Sequence, residues 1–222
     1  PALEGIGPQC GRMAGPGSIT RFEVSPLGLA CHSVDGPLAA GADVQGISAT
    51  GYLSLLALLL RLGCLDADGH FRTPASPLAR RVAPPPQQAR TGLRLPLPYG
   101  QWLAAADVEE LLKVKAAFSQ ALEALLRAAG LAAADVACLA LAGALGEHCP
   151  PACLEELGFL PSGMGRRVRA VGNSSLDGAA LLAAEPWRLP ALARWCAAAT
   201  LVPVAEDPGF HADYLRHMRF GV

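Results

Sequence analysis

The rhythm of apolar and polar positions changes several times along the chain, and each change predicts an element. Ile19 to Val24 alternates apolar and polar residues, the period of a half-buried strand, and a second short strand is expected around Ala30 to Val34. Val44-Gln45-Gly46-Ile47-Ser48-Ala49-Thr50-Gly51 then reads as a glycine turn opening into an apolar helix from Tyr52 to Leu62, with Ser48 and Thr50 as capping chemistry and Gly63 as its stop. Residues 72 to 98 are proline-rich around Pro84-Pro85-Pro86 and predict an exposed excursion or edge element with little regular structure. Asp107 is expected to cap a long helix from about Val108 to Ala129. Its apolar positions Val108, Leu111, Leu112, Val114, Phe118, Leu122, Leu125 and Leu126 recur near helical spacing, and Gly130 closes it.

Beyond that helix, the apolar run from Leu139 predicts a buried strand, turned at Gly143 and Gly146 towards a helix over Pro151 to Leu157. Arg167 to Val171 predicts a strand that delivers a third glycine turn, Gly172-Asn173-Ser174-Ser175, into a helix from about Leu176 to Ala184. Two further helices are expected at about Leu189 to Ala199 and Gly209 to His217. Taken alone, the Leu139 to Glu147 stretch is better explained as a tight strand-to-helix turn without a ligand. Three such bends in one chain point instead to an α/β domain whose ligand sits where they converge, since helix starts present backbone N–H groups to anions.

Composition narrows the class. Hydrophobic residues make up 52% and charged ones 17% of 222 residues, a globular balance. With 18 basic against 19 acidic residues no concentrated basic face is visible, which argues against nucleic acid; Arg80-Arg81 and Arg166-Arg167 read as solvated loop charges. The apolar run Leu53 to Leu62 is shorter than the about 20 residues a membrane span needs. Seven scattered cysteines without a Cys-x-x-Cys pair predict reduced thiols and a cytoplasmic setting. No signal peptide is visible, and Pro1 in place of methionine puts the true N-terminus out of view. His148, Cys149 and Cys153 offer metal-ligand types, but two prolines intervene and a second cysteine pair is missing. Cys10 is expected to be buried and inert, and Asp43 is a candidate for holding a magnesium-bound water. Lys115, beside Lys113, is expected on a solvated helix face, with a phosphate or partner contact as the alternative.

The order of these features resembles a known family. Pro1-Ala2-Leu3-Glu4-Gly5-Ile6-Gly7-Pro8-Gln9-Cys10-Gly11-Arg12-Met13 is followed by Gly46-Ile47-Ser48-Ala49-Thr50-Gly51, by Asp107 with Lys115, by Ala142-Gly143-Ala144-Leu145-Gly146, by Gly172-Asn173 and by Asp207-Pro208-Gly209-Phe210. This succession, over nearly the whole chain, is similar to the ATP-dependent reductive activators of corrinoid proteins. The resemblance implies an α/β fold of the acetate and sugar kinase, heat-shock and actin type, a ribonuclease H-like two-lobed mixed sheet with flanking helices and approximate lobes 1–105 and 106–222. It implies ATP with magnesium in the cleft. Gly46, Ser48, Thr50 and Gly51 would form the second phosphate-facing turn, Gly143 and Gly146 would line the adenosine side, and Gly172 and Asn173 would border the cleft. Lys115 is a further candidate contact for phosphate or partner. The implied partners are a corrinoid protein, a ferredoxin-type iron–sulfur module in the same polypeptide, and a second copy of the chain.

Departures from the family pattern carry weight too. The family's Cys-Gly-Ser-Gly is Ser48-Ala49-Thr50-Gly51 here, which loses a glycine to Ala49, and Ser174-Ser175-Leu176-Asp177 brings a carboxylate towards the third turn. The first phosphate hairpin, with its acidic residue for magnesium and water, is expected upstream of Pro1, as is the iron–sulfur module. Two function classes follow: the nucleotide-binding domain of a reductive activator, or a module that kept the fold, lost hydrolysis and docks a corrinoid protein or partner subunit.

Overall fold

The structure is a computed structural model that describes residues 7–90 and 92–221. The first six residues of the N-terminal motif lie outside them. The alternating stretch divides into β1 (Ser18–Ile19) and β2 (Arg21–Ser25). β3 (Gly28–Ser33) and β4 (Gly36–Pro37) complete an antiparallel sheet with β2, whereas β1 pairs in parallel with β5 (Gly46–Ile47). The division comes at Thr20, whose N–H leaves the β1 pairing for the carbonyl of His32 at 2.8 Å.

Helix α1 (Ala49–Arg61) follows β5 at once and is the centre of the core. Tyr52, Leu53, Leu55, Leu56 and Leu59 keep no exposed surface, as a helix that is apolar around its circumference requires. It starts earlier than the sequence pattern suggests, because Ser48 caps it by accepting the Gly51 N–H at 3.1 Å. Gly51 therefore lies in the first helical turn and not in a loop. The sheet is tied to this helix at Phe22, whose N–H donates to Ser54 Oγ at 2.9 Å.

The proline-rich excursion is more ordered than expected. Helix α2 (Pro77–Val82) is followed by β6 (Gln87–Ala89), β7 (Gly92–Pro96) and β8 (Trp102–Ala104), an antiparallel sheet in the order β6-β7-β8. Leu95, Leu103, Ala79 and Val82 are buried, and burial of that apolar surface orders a stretch whose local composition disfavours structure. Pro77 opens a helix, where its missing N–H costs nothing.

β8 runs without a loop into the long helix α3 (Ala105–Ala128). Asp107 accordingly stands in its first turn and not before it. Its carboxylate reaches back to the Ala104 N–H at 3.0 Å and across to the Gln9 N–H at 3.0 Å. Asp107→Ala removes both bonds and leaves the buried Ala104 N–H unmet. It is expected to cost about 2 kcal/mol in urea unfolding; an unchanged midpoint would show that the two bonds are replaced by others.

β9 (Leu139–Leu141) pairs in parallel with β10 (Val168–Ala170), separated by α4 (Gly143–His148) and α5 (Pro151–Glu156). The turn predicted at Gly143 and Gly146 is thus a short helix. α6 (Ser174–Ala184), α7 (Leu189–Ala198) and α8 (Phe210–His217) complete the chain. α8 returns across α3, where Gln120 Nε2 donates to Phe210 O at 2.8 Å and Glu123 meets His217 at 2.8 Å and Arg216 at 3.0 Å. This return overturns the solvated-face expectation for Lys115: it has no exposed surface, and its ammonium donates to the carbonyl of His217 at 3.1 Å. Among the described residues, no helix is long and apolar enough to cross a membrane.

Candidate nucleotide cleft

The N-terminal end of α1 opens onto a cleft of about 660 Å³. One wall is Ala49, Thr50 and Ser54 of α1; a second is Arg21, His32 and Ser33 of the β2–β3 hairpin; the third is Ala144, Leu145 and His148 of α4. The start of α1 is where donors accumulate. The Ser48 N–H is bound to Ile19 O at 2.9 Å and the Gly51 N–H to Ser48 Oγ, so the N–H groups of Ala49 and Thr50 are the ones left to point out of the helix. Ser48 Oγ also lies 2.9 Å from Thr50 Oγ1. Ser48 is buried and acts as a cap, whereas Thr50 reaches the cleft.

The hairpin supplies the cleft's polar side chains. Strand pairing sets Arg21 opposite His32, with Arg21 Nη2 3.3 Å from His32 Nδ1, and Glu23 holds the imidazole's other nitrogen at 3.0 Å. A guanidinium and an imidazole thus stand beside the positive end of a 13-residue helix; Glu23 also pairs with Arg21 at 3.2 Å, so the helix end is the part of this arrangement that attracts anions without a carboxylate in contact with it. Among the described residues, no carboxylate lines the cleft.

The glycines of the turns have separate jobs. At Gly51 an added Cβ would lie 2.3 Å from Ile19 O, so this glycine lets α1 start against β1. Gly46 is closed in by Arg12 Cβ and Cys10 O, each 2.8 Å from an ideal Cβ. Gly146 faces Leu141, whose Cβ would be 2.7 Å away, and so allows α4 to lie on β9; the α4 residues that reach the cleft are Ala144, Leu145 and His148. Gly143 has φ +82° and donates its N–H to Gly172 O at 2.7 Å, which joins the second and third bends. Asn173 caps α6 through its side chain, accepting from the Leu176 N–H at 3.2 Å, and is exposed outside the cleft lining. Asp177 sits in the first turn of α6 and does not line the cleft either.

Arg21, His32 and Ser33 were not legible as site residues. The alternation announces a strand with a polar face, but the pairing that sets Arg21 across from His32 belongs to the register. The cysteines are unbridged, and burial pushes the Cys149 thiol up to about 12, which makes it an inert packing group and not an available thiolate. Burial also raises Cys10. Asp43 is exposed, accepts a hydrogen bond from Gln45 Nε2 at 3.4 Å, and does not line the cleft.

Comparison with known proteins bears on this geometry. Residues 1–221 match a family described as the C-terminal domain of RACo, the ASKHA domain. The chain is 26% identical over 230 residues to the corrinoid activation enzyme RamQ of Eubacterium limosum, covering 100% of this chain and 38% of that protein. A solved structure of a reductive activator for corrinoid, iron–sulfur protein shares its fold with a TM-score of 0.83 at 23% identity, over 100% of this chain and 35% of the other. The chain therefore spans little more than a third of the length of the relatives it matches.

Proposed function

The chain belongs to the family of the C-terminal ASKHA domain of RACo, and from that premise we propose that its cleft binds ATP with magnesium in support of the reductive activation of a corrinoid protein. The observation that carries this is the start of α1, where Ala49 and Thr50, in the first helical turn behind the Ser48 cap, line a cleft that also holds Arg21 and His32. Its volume lies within the range of small-molecule sites. In this reading the phosphates lie against the α1 terminus and the Thr50 hydroxyl, the nucleoside extends along Ala144 and Leu145, and lobes at 1–105 and 106–222 flank it. Arg21 neutralises phosphate charge, and the Glu23–His32 contact holds the imidazole in place beside it.

ATP would supply energy by binding two lobe arrangements with different affinities, so that the movement exposes the corrinoid to an electron donor. The iron–sulfur centre and the acidic residue for magnesium belong, in this proposal, to other parts of the longer polypeptide. A second reading, nucleotide binding or docking without hydrolysis, is favoured by the absence of a carboxylate from the lining among the described residues.

Calorimetric titration of the longer polypeptide with magnesium and ATP tests the proposal. Thr50→Val and Arg21→Ala are each expected to weaken binding about tenfold, the loss of one charged or hydroxyl contact to phosphate. No binding by the unsubstituted polypeptide would end the nucleotide reading. Binding without release of inorganic phosphate would select the second one.

A further inference from the structure

From Gly69 to Ala106 the sequence contains no aspartate or glutamate, yet it carries Arg72, Arg80, Arg81, Arg90 and Arg94. In a chain of net charge −1 that is a strong segregation of charge. Part of it is answered from outside the stretch: Arg72 pairs with Asp66 at 2.6 Å, and Arg94 donates to Gln9 Oε1 at 2.7 Å; within the stretch Arg94 also lies 4.5 Å over the Trp102 ring. On α2 it is not. Arg80 and Arg81 are exposed, donate to backbone carbonyls of Pro74 at 2.8 Å and Pro26 at 3.0 Å, and among the described residues neither meets a carboxylate. Those bonds orient the guanidiniums without cancelling their charge.

Apolar surface lies beside them. Arg81 holds the tip of the β2–β3 hairpin against α2, and there Leu27 is 94% exposed. Leu78, three residues before Arg81 and on the same helical face, is 45% exposed. Arg80 borders a groove of about 360 Å³ whose other walls include Arg72, Pro74, Pro85 and Leu95. Arginine around exposed leucine is the composition of a protein-binding face, where the apolar centre supplies affinity and the charges steer approach.

We infer that this α2 and hairpin-tip face docks an acidic protein surface, that of the corrinoid protein. The inference rests on the activator reading for the identity of the partner; the charge and the exposed leucines define the face by themselves. Duplex DNA is the less suitable occupant, because Leu27 and Leu78 would have no counterpart on a phosphate backbone.

The test is affinity between the longer polypeptide and the host's purified corrinoid protein, measured over a range of salt concentrations. Arg80→Glu with Arg81→Glu is expected to weaken binding about tenfold and to flatten its salt dependence, with ATP binding unchanged. Arg166→Glu with Arg169→Glu alters net charge equally and is expected to leave the affinity as it is. If the double glutamate variant is misfolded by circular dichroism, Arg80→Gln with Arg81→Gln takes its place with a several-fold loss expected. Corrinoid-protein binding that ignores all these changes overturns the docking face while leaving the activator reading intact. Absence of any binding by the unsubstituted polypeptide overturns both. Tighter binding of a short DNA duplex, lost in the same variant, overturns the protein-docking assignment.

Discussion

Alanine at Gly51 is expected to destabilise the protein by about 3 kcal/mol and to lower its Tm by roughly 8 °C, although glycine inside a helix ordinarily favours the opposite sign. Host-helix propensity alone would make the substitution stabilising by about 1 kcal/mol. Packing decides against it. The added Cβ would stand 2.3 Å from Ile19 O and 2.9 Å from Ile47 Cγ2, and the first of these belongs to backbone that no side-chain rotation can move. The start of α1 would have to back away from β1, and with it the Ala49 and Thr50 donors at the cleft. Gly178, inside α6 with nothing within 4 Å of its ideal Cβ, is the control: Gly178→Ala is expected to stabilise by about 0.5–1 kcal/mol. Thermal unfolding of the two variants reads the difference. A Tm for Gly51→Ala at or above the parent's would refute the close approach of helix to strand.

Lys115 supplies the second large effect, through pH. Burial, followed by the charge of Arg216, lowers its ammonium from 10.5 to about 8. In the unfolded chain the group keeps its ordinary high value, so between about pH 8 and pH 10 the unfolded state holds a proton that the folded state has released. Stability attributable to Lys115 therefore rises with pH across that window. Below pH 8 both states are charged, and the fold bears the full cost of the enclosed ammonium, which has the His217 carbonyl as its acceptor. The shift corresponds to about 3 kcal/mol as a ceiling, and relaxation around a group at an interhelical seam reduces it to about 1–2 kcal/mol. Cys31 and Cys149, both pushed up to about 12 by burial, work in the opposite direction above about pH 9, so the wild-type curve alone is not diagnostic. The useful quantity is the difference in urea stability between wild type and Lys115→Met. It is expected to favour Met at pH 7 and to shrink steadily as the pH is raised to 9.5. A pH-independent difference would mean that Lys115 is hydrated and not enclosed.

What the linear chain determined by itself was whatever depends on neighbours in sequence. The apolar run before Gly63 was legible as a helix because its length and composition are local, and α3 followed from periodicity in the same way; α7 and α8 also stand where helices were expected. Membership in the corrinoid-activator family was legible because short motifs kept their order over the whole chain. Tertiary structure decided the rest. Asp107 moved from cap to first turn because β8 enters α3 without a loop, so that the amide needing a partner was Ala104's. The proline-rich stretch gained strands because its Leu95, and Leu103 just beyond it, found a core to enter. Lys115 lost its expected solvent because α8, about a hundred residues further along, folds back over it. Arg21 and His32 became one wall of the cleft through the β2–β3 register, a relation between residues eleven positions apart. Pattern along a chain reports which surfaces need covering; only the fold determines what covers them, and that choice sets both the charge in the cleft and the environment of the buried lysine.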